Sequence, residues 1–194
     1  MDKSVTVAAS PLAPKSFPSI KPVAGVRLNG RAVGLKPSGA KDLMVAELVK
    51  GTTIAGVLTR SRCPSGPVDW CRKILPKGRA RAIVVNSGNA NAFTGTAGDK
   101  VVANTVAAAA KLFGCRRDEV YVASTGVIGE LVPPDFIAGK LAGMSRDLRA
   151  RGWRQAAEAI MTTDTFAKGA SRTAKIGNAT VTISGFAKGS GMIA

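Results

Sequence analysis

Apolar runs along this chain are short and are cut off by polar, glycine-bearing turns. Leu43 to Thr59, LMVAELVKGTTIAGVLT, reads as two apolar strands joined around Lys50-Gly51, a β-hairpin eased by glycine. Ala82 to Val85 is a compact strand that ends in Asn86-Ser87-Gly88-Asn89, residues that tolerate turns and left-handed backbone. From Asp99 to Phe113, alanine and valine predominate with few breakers, which predicts a helix stopped by Gly114. Glu119 to Ala123 forms another short strand, running into the polar turn Ser124-Thr125-Gly126. Pro133 and Pro134 open a helix that continues to about Leu148, Gly152 interrupts it, and a second helix runs from Trp153 to Met161. Alternation from Thr173 to Ile183 around Gly177-Asn178 predicts a hairpin.

Strands alternating with helices, without an internal repeat, describe a single α/β domain over residues 23–194. Residues 1–22 precede it as an extended lead-in, where Pro11, Pro14, Pro18 and Pro22 remove backbone donors. No stretch approaches the roughly 18 apolar residues of a membrane span, and the start lacks the apolar run of a secretory signal, so a cytoplasmic protein is expected. The last residues, GFAKGSGMIA, are glycine-rich yet apolar. They read either as a frayed terminus or as a chain cut within a continuing structure.

Composition narrows the chemistry. With 194 residues and 45% hydrophobic content, the chain can bury a sizeable core. Histidine is absent, which excludes a Ser/His/Asp triad, a Cys/His pair and any imidazole metal site from this chain. Cys63, Cys71 and Cys115 lack CxxC spacing and are expected to be small buried or half-buried thiols. A formal net charge of +16 suggests a nucleic-acid footprint. Yet the basic residues are scattered in sequence, and aromatics at 5% offer no evident platform for stacking bases. A solvated basic face, or one matched to an acidic partner, explains the charge equally well.

Four polar segments are candidates for chemistry: Asn86 to Asn91, Ser124-Thr125-Gly126, Thr162-Thr163-Asp164-Thr165, and Lys188-Gly189-Ser190-Gly191. Two of them follow expected strands, and strand ends are where α/β proteins place ligands. No phosphate-binding signature is present. Ser124-Thr125-Gly126 suits an oxyanion hole, because adjacent N–H groups can face a carbonyl oxygen that gains charge; the alternative is a plain turn. Lys188 can pair with a carboxylate where the backbone is open, or can simply be solvated. The threonines around Asp164 can bind a polar substrate or cap the preceding helix, and the residues alone favour the cap.

Taken in order, SPLAPKSFP, GTTIAGVLTRSRCPSGPVDW, ARAIVVNSGNANAFTG, VYVASTGVIGE, AIMTTDTFAK and GFAKGSGMIA resemble the ornithine acetyltransferase family, also called the ArgJ family of bifunctional glutamate N-acetyltransferases. Each segment is modest alone, but the ordered set covers nearly the whole chain. The resemblance implies an α/β fold of layered sheets flanked by helices, the ArgJ/DmpA-like and Ntn-hydrolase-like α-β-β-α arrangement, of which this would be the α-chain portion. It implies a precursor that cleaves itself before a threonine, giving α and β chains that remain together as an α2β2 heterotetramer. The nucleophilic threonine would lie on the β chain just beyond Ala194.

The implied reaction moves acetyl from N-acetylornithine to glutamate through an acetyl-threonine, with no metal or organic cofactor and no part for nucleic acid or membrane. A threonine whose own α-amino group serves as base needs no histidine. Carried over by position, Thr125 and Gly126 would form the oxyanion hole, while Lys188 and Thr162, more than Thr163, would bind the substrate. Ala167 departs from the family, which commonly has proline there, and this puts only local loop rigidity in doubt. Two alternatives stand beside this reading: a basic nucleic-acid-binding or scaffolding domain, and a related self-processing amidase or aminopeptidase.

Overall fold

The computed structural model describes residues 9–190; the first eight residues of the expected lead-in and the last four of the chain lie outside the described residues. Among the described residues there are six strands: β1 (Val26–Arg31), β2 (Leu43–Leu48), β3 (Ala82–Asn89), β4 (Val120–Val127), β5 (Lys168–Ile176) and β6 (Ala179–Ala187). The same residues form four α-helices, α1 (Gly66–Ile74), α2 (Gly95–Leu112), α3 (Phe136–Ser145) and α4 (Trp153–Ala159).

β1, β2, β3 and β4 form one sheet in that order, antiparallel except for the parallel β3–β4 pair, which α2 connects. Side chains alternate across the sheet as the pleat requires. Leu43, Val45, Ala82, Val84, Val120 and Val122 face α2 and α3, whose Val106, Ala109, Leu141 and Met144 complete that core. Met44 and Ala46 face the other way, onto Ala156, Ala159 and Ile160 of α4 and its end. Beyond α4 lies the β5–β6 hairpin, where Phe186 packs edge-on against Trp153 with ring centroids 6.1 Å apart. Layered sheets flanked by helices, as expected, are therefore the architecture of this chain.

Several local expectations need correction. Leu43 to Thr59 is not a hairpin. β2 has β1 on one side and β3 on the other, so both its hydrogen-bonding edges are occupied, and its apolar run is that of a central strand. The segment after the Lys50-Gly51 turn leaves the sheet: Ile54 donates to Gly78, Thr53 bridges to Arg79, and Val57 is 97% exposed. The polar segments after Val85 and Ala123 are not turns either, because β3 and β4 continue through them. α2 begins at Gly95 rather than Asp99 and ends as expected, with Gly114 in the left-handed region (φ 57°) and Cys115 donating to Ala110. α3 starts three residues after Pro133 and stops at Ser145, and α4 stops at Ala159, while the last hairpin is longer than alternation alone indicated.

Two elements had escaped the sequence reading. β1 forms one edge of the sheet. α1 opens at Ser65 with proline in its first turn and covers the outer edge of β4, where Trp70 Nε1 donates to the Val120 carbonyl and Cys71 Sγ to that of Val122. Cys71 is buried and Cys115 half-buried, as expected; Cys63 is exposed, contrary to expectation, because it lies in the irregular segment that leaves the sheet.

Candidate active site

β3 and β4 run parallel and in register, so their polar carboxyl ends arrive together: Asn86 opposite Ser124, Ser87 opposite Thr125, and Gly88 opposite Gly126. Gly126 has φ 137°, and a Cβ there would sit 2.4 Å from the Gly88 carbonyl carbon. Both the dihedral and the close approach require glycine. Behind this pair the strand ends are locked from within. Ser87 Oγ, fully buried, donates to the Ala159 carbonyl at 2.6 Å, and Ser124 Oγ donates to Asn86 Oδ1. The asparagines that follow serve the scaffold. Asn89 Nδ2 donates to the Glu130 carbonyl, and Asn91, at φ 47°, holds Thr94 and Gly98 through its amide. Asn86 to Asn91 thus shapes the loop after β4, and of this segment only Gly88 and Asn89 reach the cleft.

A cleft of about 1060 Å³ opens at these strand ends. It brings together every site residue anticipated on this chain: Thr125 and Gly126 on β4, Thr162 and Thr163 after α4, and Lys188 after β6. Another wall is residues 34–38, a loop between β1 and β2 that lies against Gly88 and that sequence reasoning missed. Its shape comes from Asp42, whose fully buried carboxylate accepts the N–H groups of Val33, Gly34, Leu35 and Lys36 at 2.6–3.1 Å. The only local signal is an aspartate six to nine residues beyond a glycine-bearing stretch.

Lys36 joins that wall to the next. Its ammonium donates to the Lys41 carbonyl at 2.8 Å and to the Met161 carbonyl at 2.7 Å, immediately before Thr162. Burial pushes its pKa below the ordinary lysine value, and the charges of Asp42 and Asp164 offset this only in part. Asp164, with its side chain 1% exposed, accepts Lys168 Nζ at 2.6 Å and the N–H groups of Gly189 at 2.7 Å and Thr162 at 3.1 Å. Burial alone would raise its pKa, but these hydrogen bonds outweigh burial and hold it at about 2. The threonines lie past the end of α4 at Ala159, and the segment turns the chain there, with Asp164 accepting the Thr162 N–H.

Away from the cleft the positive charge is less scattered than in sequence. Lys50, Lys77, Arg79, Arg81 and Arg116 surround a hollow of about 540 Å³ at the opposite end of β3 and β4, with Asp118 paired to both Lys77 and Arg116. Among the described residues no helix is long and apolar enough to cross a membrane.

Fold and cleft together describe an α/β protein with a cleft at the carboxyl ends of a parallel strand pair, its largely apolar lining interrupted by Thr125, Thr162, Thr163, Lys36 and Lys188. The chain belongs to the ArgJ family, whose model matches residues 27–194. It is 50% identical over 190 residues to the arginine biosynthesis bifunctional protein ArgJ of Agrobacterium fabrum, covering 98% of this chain and 46% of that protein. Identity is 51% over 185 residues to the protein of the same name from Bradyrhizobium diazoefficiens, covering 95% of this chain and 45% of the relative. The chain therefore spans about half the length of the curated relatives it matches.

Among solved structures, two are similar over most of this chain. One is the arginine biosynthesis bifunctional protein of Bacillus halodurans, with a TM-score of 0.80 and 34% identity over 88% of this chain and 90% of that one. The other is ornithine acetyltransferase complexed with ornithine from Mycobacterium tuberculosis, with a TM-score of 0.77 and 38% identity over 89% and 92%. None of these relatives lends support to a nucleic-acid-binding domain.

Proposed function

We propose that this chain is the α part of a glutamate N-acetyltransferase of the ornithine acetyltransferase type, which moves acetyl from N2-acetylornithine to L-glutamate in arginine biosynthesis. The observation that carries the reading is the single cleft in which Thr125 and Gly126 meet Thr162, Thr163 and Lys188. Its β chain comes from the same precursor by self-cleavage, completes the 23–194 domain and supplies the nucleophilic threonine. The assembly is an α2β2 heterotetramer acting in the cytoplasm. The matched chains of both solved relatives are about as long as this one although the curated relatives are twice as long, which fits division of a precursor into two chains.

In this scheme the threonine hydroxyl adds to the acetyl carbonyl of N-acetylornithine while its own α-amino group takes the proton. The N–H of Gly126, with Thr125, receives the oxyanion, a role in which one donor contributes about 3 kcal/mol. Collapse breaks the C–N bond, the α-ammonium returns the proton to the departing amine, and ornithine leaves. The glutamate amine then attacks the acetyl-threonine ester, through a second oxyanion in the same place, to give N-acetylglutamate and free threonine. Lys188 pairs with the substrate α-carboxylate and Thr162 hydrogen-bonds it, Thr163 less directly. No step calls for a metal or organic cofactor.

Intact-mass measurement and amino-terminal sequencing of the purified full-length precursor test this reading. It predicts two copurifying chains, the second beginning with threonine; an unprocessed single chain that lacks transferase activity contradicts it.

A further inference from the structure

We infer that Asp164 is the positioning residue of this cleft, holding the Thr162 and Lys188 segments at one fixed spacing. The inference rests on the proposed assignment of those two segments to substrate binding. They come from different parts of the fold, one following α4 and the other following β6, with the whole β5–β6 hairpin between them. Short exposed segments of that kind wander unless something ties them together. Asp164 is the tie: one carboxylate oxygen accepts the N–H of Gly189, adjacent to Lys188, and the other accepts the N–H of Thr162.

The geometry suits a clamp better than a ligand. The carboxylate is 1% exposed, so it does not offer itself to the cleft, and Lys168 Nζ neutralises it at 2.6 Å. Lys36 links the 34–38 wall to this frame by donating to the carbonyl of Met161, the residue before Thr162. The Thr162 and Lys188 segments are thus referenced to one buried charge, and the 34–38 wall, itself held by Asp42, joins them through the Met161 carbonyl. Binding groups carried on two loops lose much of their joint effect when their spacing is not preset. A substrate carboxylate held by Lys188 and a hydrogen bond from Thr162 therefore depend on a residue that touches neither partner of the reaction.

The test uses Asp164→Asn in the full-length precursor, a substitution of nearly the same shape that replaces one acceptor oxygen with a donor, together with Lys168→Met as a milder variant in case the first does not accumulate as folded protein. Amide hydrogen exchange reads the clamp without any substrate. Segments 162–165 and 187–190 should exchange at least tenfold faster in Asp164→Asn, while the amides of residues 33–36, which Asp42 holds, stay unchanged. Steady-state acetyl transfer reads the positioning. KM for N-acetylornithine and for glutamate should rise about tenfold or more with kcat within threefold in Asp164→Asn, and KM should rise less in Lys168→Met. Unchanged exchange at both segments overturns the clamp. Faster exchange with unmoved KM overturns positioning and leaves a structural bond. Absence of transfer by the wild-type protein overturns the functional reading instead, and the exchange result still decides the clamp.

Discussion

Gly88 and Gly126 stand opposite one another across β3 and β4, and a Cβ on Gly126 would come within 2.4 Å of the Gly88 carbonyl carbon and 2.7 Å of the Asn89 nitrogen. Gly126→Ala therefore combines a backbone conformation that side chains rarely adopt with an overlap against backbone that cannot yield cheaply. The expected cost is about 3 kcal/mol of stability, together with a fall in kcat on the order of a hundredfold if the proposed oxyanion donor moves. Denaturant melts and acetyl-transfer rates on one preparation check both; a variant as stable and active as wild type would show that the pair tolerates bulk.

Thr125 lines the cleft on the same strand and is only half-buried. Thr125→Ala should lower kcat roughly tenfold or more, with little change in melting temperature. Lys188→Met should raise KM for both amino acids while leaving kcat nearly unchanged, the pattern of lost ground-state binding. The two variants separate the proposed roles, and an exchange of the two patterns would reverse the assignment.

Asp42 is fully buried and accepts four backbone N–H groups. Asp42→Ala leaves those donors without an acceptor, so a loss of about 4 kcal/mol is expected, with accelerated proteolysis between residues 33 and 41. Urea melts and limited digestion measure this. A loss below about 1 kcal/mol would mean that water replaces the carboxylate in the turn.

Asp164 gives a pH dependence of definite sign. Its pKa is depressed in the fold from the ordinary 3.8 to about 2, so its contribution to stability is complete above about pH 4 to 5 and is lost as pH falls toward 2. The shift corresponds to about 2 kcal/mol. The stability difference between wild type and Asp164→Asn should therefore shrink between pH 5 and pH 2.5 in denaturant melts. A difference constant over that range would place the carboxylate's benefit in something other than its charge.

How much of this was legible in sequence depended on how local the cause is. The β5–β6 hairpin follows from alternation around Gly177-Asn178, and the end of α2 follows from Gly114, because a few neighbouring residues decide each. Asn86 to Asn89 and Ser124 to Gly126 were read as turns from their residue types, yet they are paired strand, since register with a parallel neighbour outweighs local preference. Leu43 to Leu48 seemed half of a hairpin because an apolar run does not say which strands flank it. The helix at Gly66 has a local signal in Ser65 and Pro67, but the irregular residues before it and its short length give the periodicity little to show. The site residues were placed by resemblance rather than by periodicity. The wall at residues 34–38 and the clamp at Asp164 were invisible, because each depends on a carboxylate whose partners are defined only once the chain has folded.

The most direct measurement of the central claim is isotope transfer by the purified full-length protein given N-acetylornithine labelled in its acetyl group, with and without glutamate. The account predicts that label accumulates on an amino-terminal threonine when glutamate is absent, and appears as N-acetylglutamate in step with ornithine release when glutamate is supplied. Release of labelled free acetate at a rate indifferent to glutamate, with no labelled N-acetylglutamate, would contradict it and make the protein a hydrolase.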